Sequence, residues 1–188
     1  MPLFARWRSE REFQRKAQRF VQRVLAEPSD DDVRWLAQTA THGDTDHARW
    51  ELRYARRSLG LITAERDALD DRTGSVVARV LADATAHDPQ VAPDMQAIAE
   101  RQFNARLSAY RDALAARAGA ATGARLGQTL FAFAGGSFRQ VDEHIQRGGD
   151  LLGEYFAEAN AALRDSFGKV SLPENVPPSA LAGKVGRG

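Results

Sequence analysis

Apolar side chains recur every three or four residues along almost the whole chain, and no stretch alternates apolar with polar residues in the manner of a strand. Phe13, Ala17, Phe20, Val21 and Val24 give a first amphipathic helix over about 10 to 26, with Ser9 and Glu12 at capping-box spacing before it. Pro28 stops that helix. Ser29 caps a short second one, with Asp30, Asp31 and Asp32 in the first turn, where the helix dipole favours negative charge, and Val33, Leu36, Ala37 and Ala40 on its apolar face.

After the polar loop Thr41 to Asp46 no proline occurs until Pro89, so the pattern predicts one helix over about 46 to 86, roughly 60 Å long at 1.5 Å per residue. Its stripe runs Leu52, Ala55, Leu59, Ile62, Arg66, Leu69, Thr73, Val76, Val80, the spacing of a coiled-coil seam with Arg66 and Thr73 as polar intruders. A fourth helix follows Pro93 and carries Met95, Ala99, Phe103, Leu107, Tyr110 and Leu114. A short apolar fifth covers Arg125 to Ala134. Ser137 and Gln140 repeat the capping-box spacing ahead of a sixth, which ends at Gly168. Gly148, Gly149 and Gly153 inside that last helix predict a kink or a close backbone approach.

The expected fold is all-α: an elongated helical bundle of three long and three shorter helices, built around a long coiled-coil-like helical hairpin. Residues 1–28 form an N-terminal basic amphipathic helix, 29–168 the bundle, and 169–188, with Pro173, Pro177 and Pro178, a flexible Pro/Gly-rich tail that is expected to be disordered.

Composition narrows the chemistry. The 188 residues contain no cysteine, which excludes disulfides, thiolate metal sites and cysteine nucleophiles. The longest charge-free apolar stretch, Leu126 to Phe138, falls short of the roughly 20 residues needed to cross a bilayer. No secretory signal opens the chain, so a cytoplasmic protein is expected. Lysine supplies only Lys16, Lys169 and Lys184 of the 26 basic residues; with the abundant Ala and Asp, this Arg bias points to a high-GC bacterial genome. A net charge of +1 with no basic stripe speaks against nucleic acid.

Two segments are candidates for function. His42, Asp44, Asp46 and His47 form the densest polar cluster, and imidazole with carboxylate can hold a divalent ion. The run from Thr41 to His47 resembles the HxHxDH signature of metallo-β-lactamase-fold hydrolases, with His42, Asp46 and His47 on pattern and Asp44 where that family has its second His. The resemblance implies a metal-dependent hydrolase, yet it covers seven residues and lacks the preceding strand. The plainer expectation is a capped loop, with Asp44 and Thr45 opening the long helix. Di-iron chemistry on a bundle needs Glu-x-x-His, and no histidine here has Glu three residues before it. Neither a catalytic constellation nor a cofactor motif emerges.

The second segment is residues 1–27, where seven basic and three acidic groups accompany Trp7, Phe13 and Phe20. Such a helix packs on its own bundle, docks on a partner protein, or lies on an anionic membrane or granule surface. Its Arg-rich start also looks like an organellar transit peptide, although Glu10 and Glu12 depart from that pattern.

The leading expectation is a non-enzymatic helical scaffold, assembly or adaptor protein. It would self-associate through Leu59, Ile62, Arg66 and Leu69, an antiparallel copy placing Asp67 or Asp70 opposite Arg66, and would engage partner proteins through Trp7, Phe13 and Phe20. The alternatives are a metal-binding protein or metal-dependent enzyme centred on the His42 to His47 loop and a peripheral membrane protein.

Overall fold

The computed structural model describes residues 2–68, 71–116, 121–136 and 142–168, with side chains from Glu10 onward. Among them there are seven α-helices, one 3-10 turn and no strand, so the all-α bundle expected from the periodicity is the fold observed. The helices are α1 (Pro2–Val24), α2 (Asp30–Thr39), α3 (Thr45–Asp67), α4 (Asp71–Ala86), α5 (Gln96–Ala115), α6 (Thr122–Phe133) and α7 (Asp142–Phe167), with the 3-10 turn Pro93–Met95 leading into α5.

The main departure from the sequence pattern is that the predicted 46 to 86 helix is two. α3 ends at Asp67, and α4 runs back along it: Gly74 packs against the backbone of Glu65, and Arg57 in the middle of α3 pairs with Asp88 just beyond the end of α4. The physical reason is coverage. A straight helix of that length would expose its stripe, because no other helix is long enough to shield it; folding back lets the second half cover the first. Asp71 then stands in the first turn of α4, where the dipole favours it. The stripe stays in phase through the turn, which is why the spacing alone concealed it.

α3 is the axis of the molecule and touches every other helix. Around it α4 packs on α1, α1 on α7, α7 on α6 and α6 on α5, while α4 and α5 barely meet. The shared core contains Phe20, Leu36, Leu52, Leu59, Leu81, Leu130 and Leu152, all fully buried, each contributing about 1.5–3 kcal/mol of apolar transfer.

Local sequence explains the close packing. Gly60 on α3 lets Val24 of α1 sit against the backbone; a Cβ there would lie 2.6 Å from both Val24 methyls. At the crossing of α6 and α7 a Cβ on Gly127 would lie 2.1 Å from the Ile145 carbonyl oxygen, and one on Gly149 would lie 2.3 Å from that of Gly123. Gly148 and Gly149 of α7 thus mark a close approach, as expected, whereas Gly153 meets nothing within 4 Å, and the helix continues through all three.

Ser29 caps α2 by accepting the Asp32 N–H at 3.1 Å, and Gly168 closes α7 in a left-handed conformation, φ 91°. Ser9 caps nothing. α1 is already helical from Pro2, a residue suited to a helix's first turn, so Ser9 lies in its interior. The second capping box, Ser137 with Gln140, and the expected tail 169–188 lie outside the described residues.

Candidate functional site

The buried polar groups of α3 determine how α4 and α5 stand. Glu51, 2% exposed, accepts from Arg106 of α5 through Nε at 2.9 Å and through Nη2, while the Arg106 guanidinium lies over the rings of Tyr54 and Phe133. Tyr54 donates to Gln102 at 3.2 Å, and burial raises its hydroxyl above the ordinary tyrosine range, keeping it a neutral donor. Arg57, also buried, donates to Asp88 at 2.7 Å in the connection between α4 and α5. Burial alone would push the Asp88 carboxyl up; hydrogen bonds from the Arg57 side chain and the Gln90 N–H outweigh it and hold the carboxyl below its usual value. Arg53 donates twice to Glu27, and Trp50 lies beneath both Arg53 and Arg57.

These pairs pin α5 and the α4–α5 connection to α3 at separate points, and α4 and α5 stand apart. Between them runs a groove of about 860 Å³. Its floor is Leu61 of α3; its walls are Ala78, Leu81 and Ala82 of α4 and Ala97, Phe103 and Leu107 of α5, with Pro93 at one end. The Thr85 hydroxyl, on the same face, is buried without a hydrogen-bond partner among the described residues. Asp83, Glu100 and Arg79 stand on the rim, and Arg79 donates to Gln14 of α1 at 3.1 Å. Met95, which ends the 3-10 turn, and Ile98, in the first turn of α5, are the large exposed hydrophobics of the described residues and stand at the Pro93 end.

A smaller cleft of about 320 Å³ between α1, α3 and α7 is lined by Arg23, Arg56, Tyr155, Glu158 and alanines. Its charges are matched: Arg56 pairs with Glu158, and Arg23 lies 3.7 Å from Asp165. No family of known proteins, no curated protein and no solved structure matches this chain.

The residues singled out from sequence fall elsewhere. Asp44 is the N-cap of α3, accepting the His47 N–H at 2.9 Å, and His42 and Gly43 form the tight turn before it, with φ 56° and 89°. Asp46 sits in the first turn of α3, and His47 Nε2 lies 3.4 Å from Glu51. Among the described residues no three His, Asp or Glu side chains gather as a metal site.

Leu59 and Ile62 are buried inside the chain's own core, because α4 and the neighbouring helices cover the stripe. Arg66 is half-exposed, pairs with its neighbour Asp67 at 2.8 Å and lies over the Phe156 ring. Leu69 lies outside the described residues. Phe20 is fully buried in the bundle, and Phe13 meets Phe167 edge-on at 5.4 Å. The Trp7 side chain is outside the described set, although its backbone belongs to α1. No described helix is long and apolar enough to cross a membrane.

The groove itself escaped the sequence reading. Its one linear signal was Ala78, Ala82 and Ala86 at four-residue spacing on α4, a small-residue face that a helix pattern assigns to tight packing rather than to an opening.

Proposed function

We propose that the protein is a non-enzymatic helical adaptor or assembly protein that works through protein–protein contact, with the α4/α5 groove as its docking surface. The observation that carries this reading is the gap in the ring of helices round α3: Leu61, Leu81, Phe103 and Leu107, each nearly solvent-free, line a channel between α4 and α5 that stays open. An apolar groove between two helices, with charged groups on its rim, is the kind of surface that takes the apolar face of a partner segment. The alanine wall of α4 allows a backbone to approach closely. Asp83 and Glu100 outnumber Arg79 on the rim, and Glu100 has no ion-pair partner among the described residues, so the complementary segment is apolar with basic flanks.

The proposed contact surface is therefore the α4/α5 groove rather than the 52 to 80 stripe, whose Leu59 and Ile62 are internal. Ala82→Arg and Ala97→Arg each place a long side chain in the groove from an exposed helical position. Proteins that co-purify with the tagged wild-type chain are compared with those retained by the two variants, and the partner lost from both is purified and titrated by calorimetry. The reading expects direct binding to the wild type, weakened by about tenfold or more in each variant, or about 1.4 kcal/mol. An unchanged partner set in both variants, with helical content preserved by circular dichroism, contradicts it.

A further inference from the structure

α5 buries Phe103, Leu107 and Tyr110, and a second row runs along its other side. Ile98, Gln102, Ala105, Ala109, Asp112 and Ala116 follow one another at alternating spacings of four and three residues. At 3.6 residues per turn they fall within an arc of about 80°, the geometry of a coiled-coil seam. Ala109 is half-buried and the other five are exposed.

The two ends of this row are complementary. Met95 and Ile98 stand at the first end, 46% and 38% exposed. At the second end Ala109, Ala113 and Ala116 border an opening of about 750 Å³, whose far walls include Phe131 and Ala132 of α6 and Ile145 of α7. Charge follows the same division. Arg101 flanks the row at the first end, its Nε donating to the Ala97 carbonyl at 3.2 Å, and Asp112 lies on it at the second; neither has an ion-pair partner among the described residues.

One helix cannot bring its own two ends together, but an antiparallel copy does so twice. With the two-fold axis level with residue 107, Ala105 meets Ala109, Gln102 meets Asp112 and Ile98 meets Ala116 of the second copy, so each position of the row faces another of its positions. Alanines at the centre allow the helix axes to approach to about 8 Å, the short end of helix packing. Arg101, next to Gln102, then stands beside Asp112 of the second copy. The α4/α5 groove offers no such fit, because its α5 residues Phe103 and Leu107 stand about 140° and 180° round the helix from Ile98.

We propose that two copies of the chain pair through antiparallel α5 helices, each seating Met95 and Ile98 at the other's α5/α6/α7 opening. This contact is independent of the docking role assigned to the α4/α5 groove, which it leaves open.

Sedimentation equilibrium of the full-length chain tests the pairing. A single helix pair lies at the small end of stable interfaces, so the dimer should form between about 1 and about 100 µM. Ala105→Glu sets a carboxylate near Asp112 of the second copy and should weaken the dimer by about tenfold or more, with circular dichroism unchanged. Arg101→Asp and Asp112→Arg, both at exposed positions, should each weaken it; the double variant, which exchanges the two charges, should return to within about threefold of the wild type. Ala82→Arg, in the α4/α5 groove, should leave the dimer unchanged. Because the natural chain has no cysteine, an equimolar mixture of Ala105→Cys and Ala109→Cys chains reports the register, and mild oxidation should give the mixed disulfide in excess over either homodisulfide. The proposal is overturned by a chain that stays monomeric at the highest concentration, a dimer that Ala105→Glu leaves intact, a double variant no stronger than the single ones, loss of the dimer in Ala82→Arg, or homodisulfides in excess.

Discussion

Glu51 and Arg106 form the most deeply buried ion pair that ties α3 to α5, with side chains 3% and 12% exposed. Glu51→Ala removes one partner and leaves a guanidinium between Tyr54 and Phe133 with its charge uncompensated. Breaking a buried pair in this way costs about 3–5 kcal/mol, against about 1 kcal/mol or less for an exposed one. For a chain of this size each kcal/mol lowers Tm by about 2–4 °C, so a drop of roughly 6 to 20 °C is expected. Urea unfolding monitored by circular dichroism gives the free-energy difference directly. The double variant Glu51→Leu with Arg106→Met replaces the pair with apolar groups that keep the contact with Tyr54 and Phe133, and it should recover most of the loss, because desolvation of both charges is no longer required. The cycle should therefore show strong coupling between the two positions. A Glu51→Ala protein destabilised by less than about 1 kcal/mol would refute the reasoning, since the pair would then be behaving as a solvated surface contact.

Further outcomes follow from single positions. Gly127→Ala should destabilise by about 1–3 kcal/mol or more, because its Cβ would meet the Ile145 carbonyl oxygen at 2.1 Å, whereas Gly153→Ala, which meets nothing within 4 Å, should stabilise by about 1 kcal/mol; equal effects would contradict the crossing described for α6 and α7. Asp88→Asn should lower stability at neutral pH. Because the folded-state carboxyl is held below its ordinary value, its contribution is full above about pH 3.9 and fades as pH falls through that lower value, so the gap between wild type and variant in urea midpoints should close on acidification; a gap that widens would be the wrong sign. Asp44→Ala should cost about 1 kcal/mol through loss of the α3 cap. Stoichiometric zinc, iron or manganese that survives dialysis of the wild type and is lost in a His42→Ala, His47→Ala variant would restore the metal reading of that loop.

What could be read from sequence was whatever neighbouring residues decide among themselves. Ser29 with its three aspartates, the apolar face of α2, the Asp44 cap and the Gly168 terminus are all settled within one or two helical turns, and each is in the structure as the pattern implied. The turn after Asp67 was not, because neither glycine nor proline marks it and the stripe keeps its phase from Ile62 to Val76; only competition for coverage among whole helices decides it. Arg66 took on importance as a seam intruder for the same reason, and pairing with Asp67 over Phe156 satisfies it locally. The buried charges Glu51, Arg53 and Arg57 look in sequence like a solvated helix face, and their partners Arg106, Glu27 and Asp88 lie tens of residues away. The groove is a property of the gap between α4 and α5, and no local pattern encodes a gap.

The most direct test of the docking surface is hydrogen–deuterium exchange on the purified full-length chain, alone and saturated with the partner that Ala82→Arg and Ala97→Arg fail to bind. The account predicts added protection in segments 78–86 and 93–107, the two walls of the groove, with α2 and the α6/α7 crossing unchanged. Protection confined to other helices, or none in either wall at saturation, would contradict it.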